Sequence, residues 1–90
     1  MRLDLFLKTS GLVKRRTVAQ GLCDTGRVLV NGRVARSAKE VKQGDVIMLV
    51  FSTRSVQIEI LALPAAKRKS VVVQAYRVIS EKSFAKKDDA

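Results

Sequence analysis

Gly26-Arg27-Val28-Leu29-Val30-Asn31-Gly32-Arg33-Val34-Ala35 is the stretch from which the fold of this chain is read. Two short apolar runs flank Asn31-Gly32, the dipeptide best suited to the positive φ angles of a two-residue hairpin turn. Residues 27–35 therefore read as two antiparallel strands. Further along, Gly44-Asp45 marks another turn. It precedes the apolar strand Val46-Ile47-Met48-Leu49-Val50-Phe51. Val56-Gln57-Ile58-Glu59-Ile60 then alternates apolar and polar residues, as a half-buried strand does.

Two helices are expected ahead of the hairpin. Leu3, Phe6 and Leu7 have the i, i+3, i+4 spacing of a short amphipathic helix ending near Ser10-Gly11. On its outer side Asp4 and Lys8 form an acid-first i, i+4 pair. The second helix runs from about Arg15 to Thr25. It places Val18, Ala19, Leu22 and Cys23 on one arc and Arg16, Thr17, Gln20 and Asp24 on the other. Gly26 ends it. Gly21 lies inside it and is tolerable where another backbone, of protein or nucleic acid, comes close.

Beyond Ile60, Pro64 closes the strand region and Lys67-Arg68-Lys69 forms a basic run. Ser70 to Ile79 suits a strand by its valines and a helix by Gln74, Ala75 and Arg77, and the pattern leaves both open. From Lys82 onward the composition is polar, and the last residues are expected to be mobile. The expected fold is α+β: two short helices packed on a small, mostly antiparallel sheet of about four to five strands. The domain is expected to span residues 1–66, with a basic, partly mobile C-terminal extension over 67–90.

The totals restrict function. A 90-residue chain buries only about 60–65% of its unfolded surface, which leaves little room for a deep cleft. Eighteen Lys and Arg against eight Asp and Glu give a net charge of +10, which favours polyanionic partners. Residues 1–45 hold ten basic and four acidic side chains, and residues 46–66 one of each. Residues 67–90 hold seven and three, so the charge sits at the two ends of the chain. Cys23 is the single cysteine, which excludes an intrachain disulfide and suits a reducing compartment. No apolar run has the length of a signal-peptide core or of a membrane span, so the cytoplasm is the expected location.

Lys14-Arg15-Arg16-Thr17 is the central candidate site. It opens a helix, where backbone N–H groups lack internal acceptors and the helix dipole attracts anions. Cations at that end oppose the dipole, which serves phosphate binding better than stability. Arg can fork two hydrogen bonds onto phosphate oxygens, and Thr17 can add one more. A charge triplet alone is also compatible with a solvated face. Here, however, Arg2, Lys8, Arg27, Arg33, Arg36, Lys39 and Lys42 fall in the same half of the chain. Phe6 and Phe51 lie in apolar patterns and read as core, so recognition of RNA shape and backbone suits the composition better than base stacking.

Catalysis has little to work with. The chain has no histidine, Cys23 lies on the apolar arc, and its glycines match neither nucleotide-binding loop pattern. No enzyme activity, cofactor or metal is expected.

Arg2-Leu3-Asp4 with Leu7, Lys14-Arg15-Arg16-Thr17, Gly26-Arg27-Val28-Leu29-Val30-Asn31-Gly32 and Val41-Lys42-Gln43-Gly44-Asp45-Val46-Ile47 follow one another in a recognisable order. Over roughly residues 1–61 this resembles the alpha-L RNA-binding motif, the domain named for small-subunit ribosomal protein S-four. Among its bearers, a stand-alone chain of this length is similar to the heat-shock protein fifteen and RqcP group. The resemblance implies binding to large-subunit rRNA on ribosomes stalled with peptidyl-tRNA, in ribosome-associated quality control. It also implies that Arg2, Lys8, Arg15 and Arg16 belong to the RNA face, shaped by the hairpin start near Arg27 and the Asn31-Gly32 turn. With Lys14, Thr17, Gln20 and Arg33, these make up the expected RNA-binding set. The sequence departs from the group at Gly21, where a side chain is usual, and at Val71-Val72-Val73, which replaces a more polar segment.

Three other functions compete. One is a targeting module that cooperates with a separate RNA-modifying enzyme. The second is a DNA-binding helix-turn-helix protein, with Arg16 and Gln20 as its only plausible base readers. The third and weakest is binding to a membrane surface through Lys67-Arg68-Lys69. The leading expectation is a monomer that binds rRNA and the large ribosomal subunit, with peptidyl-tRNA as a further partner, and no membrane.

Overall fold

The computed structural model describes residues 1–63 and 75–83. Helix α1 (Leu3–Thr9) turns Leu3, Phe6 and Leu7 into the core, where all three are fully buried. Ser10 caps it, and Gly11 leaves at φ +86°, so the chain reverses where the sequence suggests. Helix α2 (Arg16–Asp24) ends in two bonds of the Schellman type: Gly26 N–H donates to the Cys23 carbonyl and Arg27 N–H to that of Leu22.

The apolar arc of α2 is narrower than expected. Ala19 and Cys23 are buried and Leu22 is half-buried, but Val18 is 50% exposed. The helix is rolled so that Arg16 and Gln20 lie against α1, which carries Val18 outward.

The hairpin forms at the expected place. β1 (Val28–Val30) and β2 (Arg33–Val34) pair antiparallel, with Val30 opposite Arg33. Asn31 and Gly32 adopt φ 53° and 87°, the pair of positive angles a type I′ turn needs. β3 (Val46–Val50) follows the Gly44-Asp45 turn, then β4 (Arg54–Ile60) and β5 (Tyr76–Ser83). The sheet is antiparallel throughout, in the order β2-β1-β3-β4-β5. Val28, Val30, Ile47, Leu49, Val56, Ile58 and Ile60 are buried and join the helix side chains in one core.

β5 answers, for its described part, what the valine-rich segment left open. Residues 76–79 are strand, and the strand continues through Lys82 and Ser83, which composition assigned to the polar tail. Pairing with β4, interrupted by a bulge at Gln57/Ile58, holds them there. The basic run at 67–69, the valines at 71–73 and the expected mobile end lie outside the described residues.

α1 is tied to a distant segment. Leu3 N–H donates to the Lys39 carbonyl at 2.8 Å, Asp4 N–H to that of Ser37 at 3.1 Å, and Val41 N–H to that of Met1 at 2.9 Å. The Met1 ammonium pairs with Glu40 at 3.0 Å. These bonds set where the start of α1 sits, and with it the site.

Gly21 lies on the outward side of α2, and a Cβ added there would meet nothing within 4 Å. Among the described residues no backbone approaches closely enough to require the glycine. Gly21→Ala should therefore stabilise the fold by about 1 kcal/mol through helix propensity. Thermal unfolding should show a rise of about 4–8 °C; an unchanged or lower midpoint would refute this placement.

Candidate nucleic-acid interface

The centre of the site is Asp4, and it is buried. The acid-first surface pair with Lys8 does not form. Asp4 is 0% exposed, while Lys8 is exposed. Rolling α2 onto α1 supplies the carboxylate with stronger partners than Lys8 could provide. Arg2 Nε donates to Asp4 Oδ1 at 3.2 Å and its Nη2 to Oδ2 at 3.4 Å. Arg16 Nε donates to Oδ2 at 3.2 Å, Gln20 Nε2 to the same oxygen at 2.9 Å, and Leu5 N–H to Oδ1 at 2.8 Å. A carboxylate without water is stable only when its oxygens are satisfied in this way. Burial would push the Asp4 carboxyl up. The hydrogen bonds from Gln20, Arg16 and the Leu5 N–H, with the charge of Arg16, outweigh burial and hold it below the ordinary range.

The arginines thus belong to the fold and to the surface at once. Their side chains remain 45% and 42% exposed for Arg2 and Arg16, so both stay open to solvent while bound to Asp4. Gln20, expected on the outward arc, is half-buried and its amide N–H is engaged by Asp4. The Gln20 amide is therefore engaged by Asp4, which removes one of the two base readers that a DNA-reading α2 would need.

Lys14 and Arg15 precede Arg16 and are exposed, as is Thr17 in the first turn of α2. That turn holds no acidic residue and Arg15 makes no side-chain capping bond, so the first N–H groups have no anionic partner within the helix. On the other side of Arg2, the segment that ties down α1 brings in more charge. Arg33, Arg36 and Lys39 line one shallow groove together with Val30, Val34 and Ala35. Val34 is 62% exposed there. Among the described residues, Lys8, Lys14, Arg15, Arg27, Arg33, Arg36 and Lys39 have no carboxylate within ion-pair distance. Lys8 and Arg27 are exposed, but no contact ties either of them to the Asp4 cluster or to the groove.

Asn31 works differently from the other expected site residues. Its amide nitrogen donates to Asp45 Oδ1 at 3.2 Å, and its amide oxygen accepts the Val46 N–H at 3.0 Å. Asp45, itself buried, also accepts the Lys42 N–H at 3.0 Å. Asn31 thus fastens the hairpin turn to the Gly44-Asp45 turn, and its side chain is engaged at both ends.

Chemistry beyond binding finds little support. Burial, then the charges of Asp4 and Asp24, push the Cys23 thiol up to about 11, which suppresses the nucleophilic thiolate. Among the described residues no three His, Cys, Asp or Glu side chains are grouped to hold a metal.

The S4 domain family model matches residues 1–47. The chain is 41% identical to the RQC P-site tRNA stabilizing factor of Halalkalibacterium halodurans, over 98% of this chain and all of that one. It is 36% identical to the factor of the same name from Bacillus subtilis, over 93% and 98%. The chain belongs to the S4-domain family, in its Hsp15/RqcP-like branch. Solved structures agree. Heat Shock Protein 15 of Vibrio cholerae, described as trimeric, superposes with a TM-score of 0.71 at 27% identity, over 89% of this chain and 82% of that one. The solution structure of hypothetical protein HP1423 gives 0.73 at 38%, over 89% and 98%. The S4-domain membership makes this an RNA-binding protein, in the context of ribosome-associated quality control.

Two residues central to this S4 surface, Asp4 and Asp45, are missing from the sequence-derived set. Asp4 did leave a signal: it is an acid inside the apolar run Leu3-Asp4-Leu5-Phe6-Leu7.

Asp4→Asn should lower stability by about 1–3 kcal/mol at neutral pH, the scale of hydrogen bonds to a charged group. Because the folded carboxyl titrates below its unfolded value of about 4, this contribution is present above that value. It disappears as pH falls through the lowered folded value. Urea titrations of parent and variant should therefore converge in acid; a constant gap across pH would show that Asp4 contributes no charge-dependent stability.

Proposed function

We propose that this protein binds rRNA of the large ribosomal subunit, on subunits stalled with peptidyl-tRNA, as a non-enzymatic factor of ribosome-associated quality control. The carrying observation is a buried carboxylate that holds Arg2 and Arg16, together with Lys14, Arg15, Arg33, Arg36 and Lys39, which have no carboxylate within ion-pair distance among the described residues. A cationic surface with so few internal partners suits a polyanion. Its scarcity of exposed aromatics suits a folded RNA read by shape and phosphate position rather than by stacked bases.

The relatives support this choice of partner. Those at 41% and 36% identity are each described as an RQC P-site tRNA stabilizing factor. In this reading the expected RNA-binding set divides its labour. Arg2, Lys14, Arg15, Arg16, Thr17 and Arg33 contact RNA, joined by Arg36 and Lys39, and Lys8 and Arg27 extend the field. Gln20 braces Asp4, and Asn31 holds the turn that presents Arg33. The protein acts as a cytoplasmic monomer.

Sucrose-gradient sedimentation of the tagged protein in lysate tests the reading directly. Migration with free large subunits is expected, and material confined to the top of the gradient would refute it. Contacts to about five phosphates should lower affinity for structured rRNA on the order of 10²-fold between about 50 and 200 mM salt. A flat response removes the electrostatic mechanism.

Arg15→Ala separates grip from scaffold, because Arg15 is exposed and has no ion-pair partner among the described residues. Binding should weaken by about 1–3 kcal/mol while folding stability moves by no more than about 0.5 kcal/mol. Fluorescence anisotropy and urea denaturation of the same preparation check both numbers; unchanged affinity would place the RNA face elsewhere.

A further inference from the structure

Arg2 stands at the N-cap of α1 and Arg16 opens α2, yet both lie against one carboxylate oxygen. Arg2 Nη2 is 3.4 Å and Arg16 Nε 3.2 Å from Asp4 Oδ2. Two guanidinium groups gathered at one point repel each other, and an anion between them offsets that repulsion. Asp4 is that anion, and it neutralises only one of the two charges. The cluster keeps a net single positive charge at the surface.

The remaining donors are also defined. A guanidinium offers five N–H groups in a rigid plane. Arg16 uses its Nε on Asp4 and keeps both terminal nitrogens. Arg2 uses Nε and Nη2 and keeps Nη1. A guanidinium whose inner edge is fixed by a carboxylate presents its outer nitrogens in one orientation, and the rotamer freedom of a long side chain is already lost before any ligand arrives. Gln20 and the Leu5 N–H, donating to the same carboxylate at 2.9 and 2.8 Å, keep Asp4 from turning. Asp4 is inaccessible to solvent, so it lies behind the guanidiniums and not in the path of an incoming phosphate.

We propose that Asp4 is a positioning residue that holds Arg2 and Arg16 as two arms of a clasp for a single backbone phosphodiester. One monoanionic phosphate neutralises the residual charge of the cluster, and the preset guanidiniums receive it without further ordering. This deepens the RNA-binding reading and rests on it. The alternative within that reading is that each arginine holds its own phosphate independently.

The two differ in countable terms. A fluorescein-labelled structured fragment of large-subunit rRNA is titrated with the full chain at salt concentrations from about 50 to 200 mM. Each phosphate contact contributes roughly 0.7–0.9 to the slope of log affinity against log salt. If the clasp is right, Arg2→Ala and Arg16→Ala each lower the slope by about one such increment, and the double variant lowers it no further. Loss of two increments in the double variant overturns the clasp and leaves the RNA-binding reading intact. Failure of the parent chain to bind the fragment overturns both.

Asp4→Asn gives a second readout with the opposite sign from simple electrostatics. Removing an acid from a protein of net charge +10 should strengthen RNA binding if only the overall field matters. The clasp requires weaker binding, about tenfold, and it requires the effect to vanish in the Arg16→Ala background. Circular dichroism establishes that each variant is folded. Tighter binding by folded Asp4→Asn overturns the proposal, and if that variant does not fold, the arginine pair alone decides.

Discussion

A carboxylate shut away from water governs this molecule. Asp4 is fully buried at the start of α1, and a charge there is tolerable only with every oxygen satisfied. Its donors come from Arg2, Leu5, Arg16 and Gln20, so meeting its needs brings the two helices together in one rotational setting. The same requirement turns Val18 out to solvent. It also fixes two arginines at the surface whose inner edges are occupied and whose outer edges are not. Replacing such a network by apolar packing is often neutral or stabilising in proteins generally. What Asp4 provides is orientation, and orientation is what a surface for phosphate needs.

A second polar node does for the sheet what Asp4 does for the helices. Asn31 links the type I′ turn to Asp45 and Val46, so two turns that are separate in sequence are fastened together. The hairpin is short, and a hairpin of this length is marginal without support. Its backbone pairing with β3 and its side-chain link to Asp45 supply that support. The groove lined by Arg33, Arg36 and Lys39 depends on it.

What the sequence revealed divides by range. The Asn31-Gly32 hairpin, the alternation from Val56 to Ile60, the burial of Cys23 and the end of each helix were legible, because each depends on residues within a few positions of one another. The RNA-binding family was legible from the order of several such features. Asp4 was misread because the nearest rule, an i, i+4 pair with Lys8, is local and satisfied on paper. Its real partners Arg16 and Gln20 are 12 and 16 positions away. Asn31 reads as a turn residue, correctly, but its side-chain partners are 14 and 15 positions away and no periodicity announces them. β5 was undecidable for a related reason. Tyr76 to Ser83 is exposed over almost its whole length, so it lacks the buried alternation that identifies a strand, and pairing with β4 makes it one.

The bonds between α1 and residues 37–41 have a consequence for how the protein comes into being. The start of α1 is held by the carbonyls of Ser37 and Lys39, and Met1 accepts from Val41. Closing that loop of nearly forty residues carries an entropic penalty that only the later contacts offset. During synthesis most of the cations of the helix pair leave the ribosomal exit ahead of the segment that arranges them. A nascent chain at that stage already holds eight basic side chains against two acidic ones in residues 1–36, charge without the contacts that order it. The geometry of the helix pair is therefore acquired late in the making of each molecule, after its charge.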